Sequence, residues 1–412
     1  MLKPLFSFLK KQIIFVISLL LAIFSTIIFR PQAAEILSAI DFRSLSILFC
    51  LMAVVQCFSI NGAFSFISIK IISSIKKTWN LIFALVSICF FFSMFITNDV
   101  ALITFVPLTI SILTTAGLSN LICITIVLET LAANLGSMLT PVGNPQNLYL
   151  FNLMGLDVFS FMKIMLPYSV LSFLLLVLCI LIGKFFAGRK MAGGGKFPGG
   201  GKMSTGEKNL PACEKPSGAA SERIVVSKSS ARFSKSQISF SKIKIIIFSL
   251  LAIISLATVF NLIPYFISLP IVFVTVLFTE KKALEKVDYI LLLTFIGFFI
   301  FTGNLSHSPK ISSFISSILQ NREILCGILS SQVISNVPAA LLLSTFTKNL
   351  RDLTIGVNLG GLGTLIASMA SLISFKFYGG VEGAKTGKYL AVFTALNVLF
   401  LLILYPVTFF CR

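Results

Sequence analysis

Twice in each half of this chain, a polar, asparagine-centred stretch interrupts a hydrophobic run of membrane-spanning length, and the interruptions fall at matching places. In the first half Thr97-Asn98-Asp99 sits between apolar segments, and a second break opens at Asn134-Leu135-Gly136-Ser137. In the second half Ser335-Asn336-Val337-Pro338 takes the first place and Asn358-Leu359-Gly360-Gly361 the other. Backbone polar groups in hydrocarbon are costly unless the irregular chain is buried in protein or lines a cavity. Paired breaks in two halves therefore point to the binding site of a secondary transporter.

Composition narrows the class in the same direction. Of 412 residues, 57% are hydrophobic and 11% charged, the balance of a polytopic membrane protein. The net charge of +19 lies mostly in loops, where it sets orientation. No basic, aromatic-interleaved soluble module is present, so a nucleic-acid partner is not expected. Eight cysteines are scattered without a Cys-x-x-Cys pair and His307 stands alone, which supports neither a disulfide framework nor a metal site. The phosphate loop of an ATPase is absent, since Gly201-Lys202 is followed by Met203. No nucleophile–base constellation supports an enzyme, and no cofactor beyond a coupling ion, sodium or proton, is expected.

The chain divides into a first membrane repeat at 1–183, a flexible basic linker at 184–244 and a second membrane repeat at 245–412. The linker carries Gly193-Gly194-Gly195 and Gly199-Gly200-Gly201 among many serines and lysines, a composition that buries no core. Lys184, Arg189 and Lys190 lie close to a span end and place the linker, with the basic N-terminus, on the cytoplasmic side. Lys3, Lys10 and Lys11 ahead of Ile13 to Phe29 mimic a secretory signal, but the run is too long and reads as a retained first span. Each repeat is expected to hold a re-entrant hairpin (tips at 97–99 and 335–338) and a broken transmembrane helix (134–147 and 358–364). An extra span at Ile245 to Asn261 inverts the second repeat relative to the first. The fold class is thus an all-α polytopic membrane protein of two inverted repeats.

Each interruption carries usable chemistry. Thr97, Asn98 and Asp99 offer hydroxyl, amide and carboxylate oxygens of the kind hard cations bind, and a helix N-terminus beside them can face an anion. The alternative is a polar turn that caps the helix starting at Val100. In the stretch from Ala133 to Asn147, Gly136 and Gly143 permit close backbone approach, and Pro141 and Pro145 forbid regular helical bonding. Asn134, Asn144, Gln146 and Asn147 with Ser137 and Thr140 line this unwound chain. The counterpart Asn358 to Thr364 keeps the Asn-Leu-Gly start, with Gly360, but has no second amide, so an asymmetric site is expected. Glu129 stands alone in the apolar run from Leu121 to Ala133, where a carboxylate is expensive. It is a candidate proton carrier together with Asp99, or else a backbone partner at a helix break. No arginine falls in mid-membrane, which leaves amides, hydroxyls, helix N-termini and a co-bound cation to hold an anion.

The segments from Thr97 to Pro107, Asn134 to Asn147, Ser331 to Ala340 and Gly360 to Ser368 resemble the ion transporter superfamily, most closely its bacterial citrate-transporter-like anion permeases. The resemblance covers nearly all of the chain outside the linker. It implies an elevator-type transporter whose two Asn-bearing hairpin tips bind cation and anion. Asn98 and Asn134 would then serve one cation site, Asn336 and Asn358 its repeat, and Thr97 and Ser335 would face the substrate. The Ser-Asn-Thr signature of the family's sodium symporters reads Thr-Asn-Asp and Ser-Asn-Val here. The expected activity is movement of a small di- or tricarboxylate-like anion coupled to sodium or protons. Arsenite efflux, with or without a separate ATPase, or sodium/proton antiport on the same fold is the alternative. The expected partners are the anion, the bilayer and a second copy of the chain, since the family commonly forms dimers.

Overall fold

In the computed structural model, residues 13–72, 75, 77–192 and 242–410 are described, and within them every regular element is a helix. The first is α1 (Ile13–Phe29), followed by a short α2 (Ala33–Ala39) and by α3 (Phe42–Ile60). Asp41 starts α3 by accepting from the Ser44 amide at 3.0 Å. The apolar run that α3 opens is cut at Asn61-Gly62, where Gly62 takes a φ of +72°, and continues as α4 (Ala63–Ile72).

The first hairpin consists of α5 (Thr78–Ile96) and α6 (Asn98–Thr115), separated by Thr97 alone. Next come α7 (Ser119–Ser137), an irregular stretch, α8 (Pro145–Met154) and the long α9 (Val158–Ala192). Helix thus covers 184–192 of the expected linker and resumes at Lys242, while 193–241 lies outside the described residues.

The second half opens with α10 (Lys242–Val259), α11 (Tyr265–Thr279), the single turn α12 (Lys281–Glu285), α13 (Tyr289–Ser306) and α14 (Pro309–Leu319). Its hairpin is α15 (Glu323–Ile334) and α16 (Asn336–Ser344), separated by Ser335 alone. The second broken helix is α17 (Leu350–Leu359) and α18 (Met369–Gly379), and α19 (Thr386–Phe410) closes the chain.

Seven helices among the described residues are long and apolar enough to cross a membrane, α3, α5, α6, α7, α9, α13 and α19. Large hydrophobic side chains such as Phe95, Leu402 and Phe278 point outward, as they do where the surrounding solvent is lipid.

Packing sets the frame around the interruptions. Helix α1 lies along α13, and α3 lies against α10 and α11. Each outgoing hairpin arm packs on the first part of the following broken helix, α5 on α7 and α15 on α17. Each returning arm meets the second part of the other half's broken helix, α6 on α18 and α16 on α8. Glycines make the first contacts close. A Cβ on Gly136 would collide with the Phe90 carbonyl and come within 2.7 Å of Ser93 Oγ. At the corresponding place in the second half, a Cβ on Gly360 would come within 2.7 Å of Ser331 Cβ.

Candidate functional site

Both hairpin tips share one uncommon backbone shape. Thr97 has φ +66° and ψ 147°, and Ser335 has φ +74° and ψ 155°, a region that side chains with a Cβ rarely occupy. The next residue, Asn98 or Asn336, then begins a helix. Its amide N–H has no earlier turn to bond to, and in both cases it finds a carbonyl in a break. Asn98 N donates to Gly143 O at 3.1 Å, and Asn336 N donates to Ala367 O at 3.0 Å.

The helices run further than the sequence suggests. Asn134, Gly136 and Ser137 belong to the last turns of α7, and the irregular backbone lies at 138–144. Asn358 and Leu359 likewise end α17, with irregular backbone at 360–368. An asparagine in an apolar run marks the side chain that seeks partners; in the first break the chain unwinds where Pro141, Gly143 and Pro145 remove or redirect backbone bonds, and in the second within the glycine-rich stretch that begins at Gly360.

The side chains of Asn134 and Asn358 tie the two halves together. Asn134 Oδ1 accepts from Asn98 Nδ2 at 3.1 Å and from Ser368 Oγ at 3.0 Å, while its Nδ2 donates to Ser371 Oγ at 3.3 Å. Asn358 Oδ1 accepts from Asn144 Nδ2 at 3.1 Å, and its Nδ2 donates to Asn147 Oδ1 at 2.6 Å. Ser368 and Ser371 stand ten and thirteen residues after Asn358, and Asn144 and Asn147 stand ten and thirteen after Asn134. Each asparagine therefore accepts from the tenth position and donates to the thirteenth position of the opposite half. Gly143 and Ala367, which hold the tips, both lie at the ninth.

All of these side chains are buried. Unsatisfied polar groups at such a depth would cost about 1–3 kcal/mol each, so the mutual bonding is what allows the cluster to exist.

The breaks are braced differently. In the first, Asn147 Nδ2 lies 3.0 Å from Met138 O, 3.1 Å from Thr140 O and 3.5 Å from Ser137 O. Asn144 caps α8 by accepting from Asn147 N at 2.9 Å, and Thr140 donates its hydroxyl to Met94 O on the hairpin. In the second, Gln332 on the hairpin arm does the bracing, donating Nε2 to Gly360 O at 2.9 Å and Leu362 O at 2.8 Å and accepting from Thr364 N at 2.9 Å. Gly363 N adds a 3.4 Å contact to Asn397 Oδ1 on α19.

Of the expected positions, Asn98, Asn134, Gly136, Ser137, Thr140, Gly143, Asn144, Asn147, Ser335, Asn336, Asn358 and Gly360 come together here. Pro141 and Gln146 are buried in the same segment. Thr364 is exposed, with its N–H and hydroxyl both on Gln332, so it belongs to the brace and not to the cluster. Asp99 follows the tip in the first turn of α6, and its amide N–H donates to Asn98 Oδ1 at 3.0 Å. Glu129 sits apart, fully buried between α7 and α6, with Oε1 accepting from Thr109 and Oε2 without a partner among the described residues. Ser368, Ser371 and Gln332 are participants that sequence reading missed. The repeated ten- and thirteen-residue spacing was the signal for the two serines.

Chemically the junction presents both signs. The N-termini of α6, α8, α16 and α18 meet there and favour negative charge, while the C-terminal ends of α5, α7, α15 and α17 offer carbonyl oxygens to a cation. The Asn358 amide oxygen, which accepts from Asn144, adds a further hard donor.

Comparison with known proteins identifies the family. The citrate transporter family model matches residues 5–370. An uncharacterized transporter of Methanocaldococcus jannaschii is 29% identical over 372 residues, 90% of either chain. An inner membrane protein of Escherichia coli, YbiR, is 27% identical over 344 residues, covering 82% of this chain and 80% of that protein. The mouse P protein is 29% identical over 138 residues, which is 32% of this chain and 16% of that protein. With apolar helices of spanning length and a family match over most of its sequence, this chain is a multi-pass membrane transporter that belongs to the citrate transporter family.

Proposed function

We propose that the protein moves a small di- or tricarboxylate-like anion across the cytoplasmic membrane of a bacterium, coupled to sodium or protons, by alternating access between two inverted repeats. The observation that carries this reading is the reciprocal bonding of Asn134 and Asn358 to the tenth and thirteenth positions of the opposite half. Such matching supports a pseudo-two-fold relation, and in transporters built that way the site lies at the repeat interface among broken helices. The anion would meet the N-termini of α6, α8, α16 and α18, with Thr97 and Ser335 nearest to it. A cation at Asn98 and Asn134, or at Asn336 and Asn358, would offset its charge where no arginine is available. The hairpins and broken helices would travel together, in the manner of an elevator, against a frame formed by the remaining spans, with the N-terminus and linker on the cytoplasmic side and two copies associating through that frame.

Uptake into proteoliposomes under separately imposed sodium and proton gradients, with a panel of carboxylates and arsenite, tests this reading. Gradient-driven accumulation of a carboxylate is expected. A protein that moves arsenite or exchanges sodium for protons, with no carboxylate uptake, would replace it. One observation favours that second reading, the full burial of Glu129 with an oxygen left over to carry a proton.

A further inference from the structure

A cavity of about 610 Å³ lies beside the amide cluster, walled by α3, α4, the tip end of α5, the first break and α10. Every side chain lining it is apolar. Leu51, Val54 and Val55 on α3 and Ile96 at the hairpin tip are buried, whereas Phe66 and Phe95 are 45% and 68% exposed and form its outer edge.

On α10 the lining runs from Ile245 to Leu256, eleven steps along the helix or about 16 Å at 1.5 Å each. One end therefore adjoins Lys244, whose ammonium is part-exposed and paired with Glu280 at 2.8 Å. The other reaches toward the tip, where Val142 precedes the Gly143 carbonyl that holds Asn98.

The occupant follows from the surroundings. Ordered water needs two or more polar partners, and these walls provide none. An extended or irregular protein segment entering at this depth would bring backbone groups that also need partners. Hydrocarbon needs none, and it is the medium that a membrane protein's exposed Phe66 and Phe95 contact. We propose that the cavity takes one acyl chain of a bilayer phospholipid, its headgroup at the Lys244 end and its tail against Ile96 and Val142. A chain seated there supports the wall of the hairpin tip directly, so its entry and exit accompany any displacement of that tip.

The test uses the full chain in vesicles whose phosphatidylcholine carries bromines midway along one acyl chain, which quench a tryptophan they touch. The sequence contains one tryptophan, Trp79, so Trp79→Phe supplies a silent background. With Val55→Trp added, at least a twofold loss of fluorescence relative to unbrominated vesicles is expected, comparable to that of Leu402→Trp on the lipid-facing side of α19. Adding Ala252→Phe, which fills the cavity, is expected to reverse the quench at position 55 and leave that at position 402 unchanged. Should Val55→Trp fail to fold, Leu256→Trp on the facing wall carries the same expectation. Full fluorescence at position 55 or 256 while position 402 is quenched would overturn the proposal, and would mean that a second copy or another part of the chain seals the cavity.

Discussion

The two breaks solve one problem in two ways. Unwound backbone in a membrane protein leaves carbonyls that need donors, and in each half a single primary amide supplies them. In the first break that amide is Asn147, which belongs to the broken helix itself and serves Ser137, Met138 and Thr140. In the second it is Gln332, which reaches over from the hairpin to Gly360 and Leu362 and also receives Thr364 N–H. The first break is therefore stiffened from within, with Thr140 as its side-chain tie to the hairpin. The second keeps its shape only while its hairpin is docked. Matching positions in two halves need not carry matching chemistry for the backbone to reach the same form.

Substitutions can break this comparison in graded fashion. The largest effect is expected at Asn147. Replacing it with Ala strips three carbonyls and the Asn358 amide of partners at once, a loss of about 2–4 kcal/mol in a buried network. It should appear as a marked fall in the detergent melting temperature, together with loss of transport.

Next comes Gly136→Ala. The new methyl meets the Phe90 backbone carbonyl, which cannot swing aside as a side chain could, and overpacking of this kind costs about 1–3 kcal/mol. The same melt should report it, with Gly143→Ala, which meets the Ser137 backbone, behaving alike.

Gln332→Leu should cost less, about 1 kcal/mol, because the site is half-buried and water can reach part of it. The informative readout there is spatial. Protease or thiol-labelling access at 360–364 should rise in Gln332→Leu and stay unchanged in Asn147→Ala variants that still fold. Equal exposure of both breaks in both variants would remove the distinction between them.

Thr97→Gly sharpens the picture from the other side. Relief of a strained φ is worth about 1–3 kcal/mol and is partly offset by the roughly 0.5–1 kcal/mol entropy cost of glycine, so a small gain in stability is expected. Transport should nevertheless fall, since the tip would lose its fixed shape.

The smallest effect concerns pH. Lys244 hydrogen-bonds the Glu280 carboxylate and holds it below its ordinary value of 4.5, with Asn61 and Lys282 assisting. A depressed carboxylate stabilises the fold fully above the unfolded value and loses that advantage as pH falls through the lower one. Because the Lys244 ammonium is part-exposed and solvent screens the pair, less than about 1 kcal/mol should vanish on acidification below 4.5, and Glu280→Gln should flatten that part of the profile.

Much of the site was legible because asparagine is rare in long apolar runs. Asn98, Asn134, Asn336 and Asn358 stood out against their neighbours, and all four lie in the cluster. Serine carries no such contrast. Ser68, Ser255 and many others in these helices simply bond a carbonyl one turn back, so Ser368 and Ser371 looked ordinary. Their role depends on a partner some 230 residues away, to which only the spacing shared by the two breaks points. The ends of the broken helices were misplaced for a related reason. A polar side chain near a helix end suggests unwinding, yet Asn134 and Asn358 keep helical backbone and spend their polarity across the interface. Thr364 shows the converse, a polar residue in a glycine-rich stretch whose bonds serve the brace alone.

The most direct test of this account is gradient-driven carboxylate uptake by proteoliposomes containing wild-type protein, Asn134→Ala or Asn358→Ala, each checked by melting for retained fold. The account predicts sodium- or proton-dependent accumulation by the wild type and its loss, by at least tenfold, in both variants that remain folded. Folded variants that transport like the wild type, or one that fails while its counterpart is unaffected, would contradict a site built jointly by the two halves.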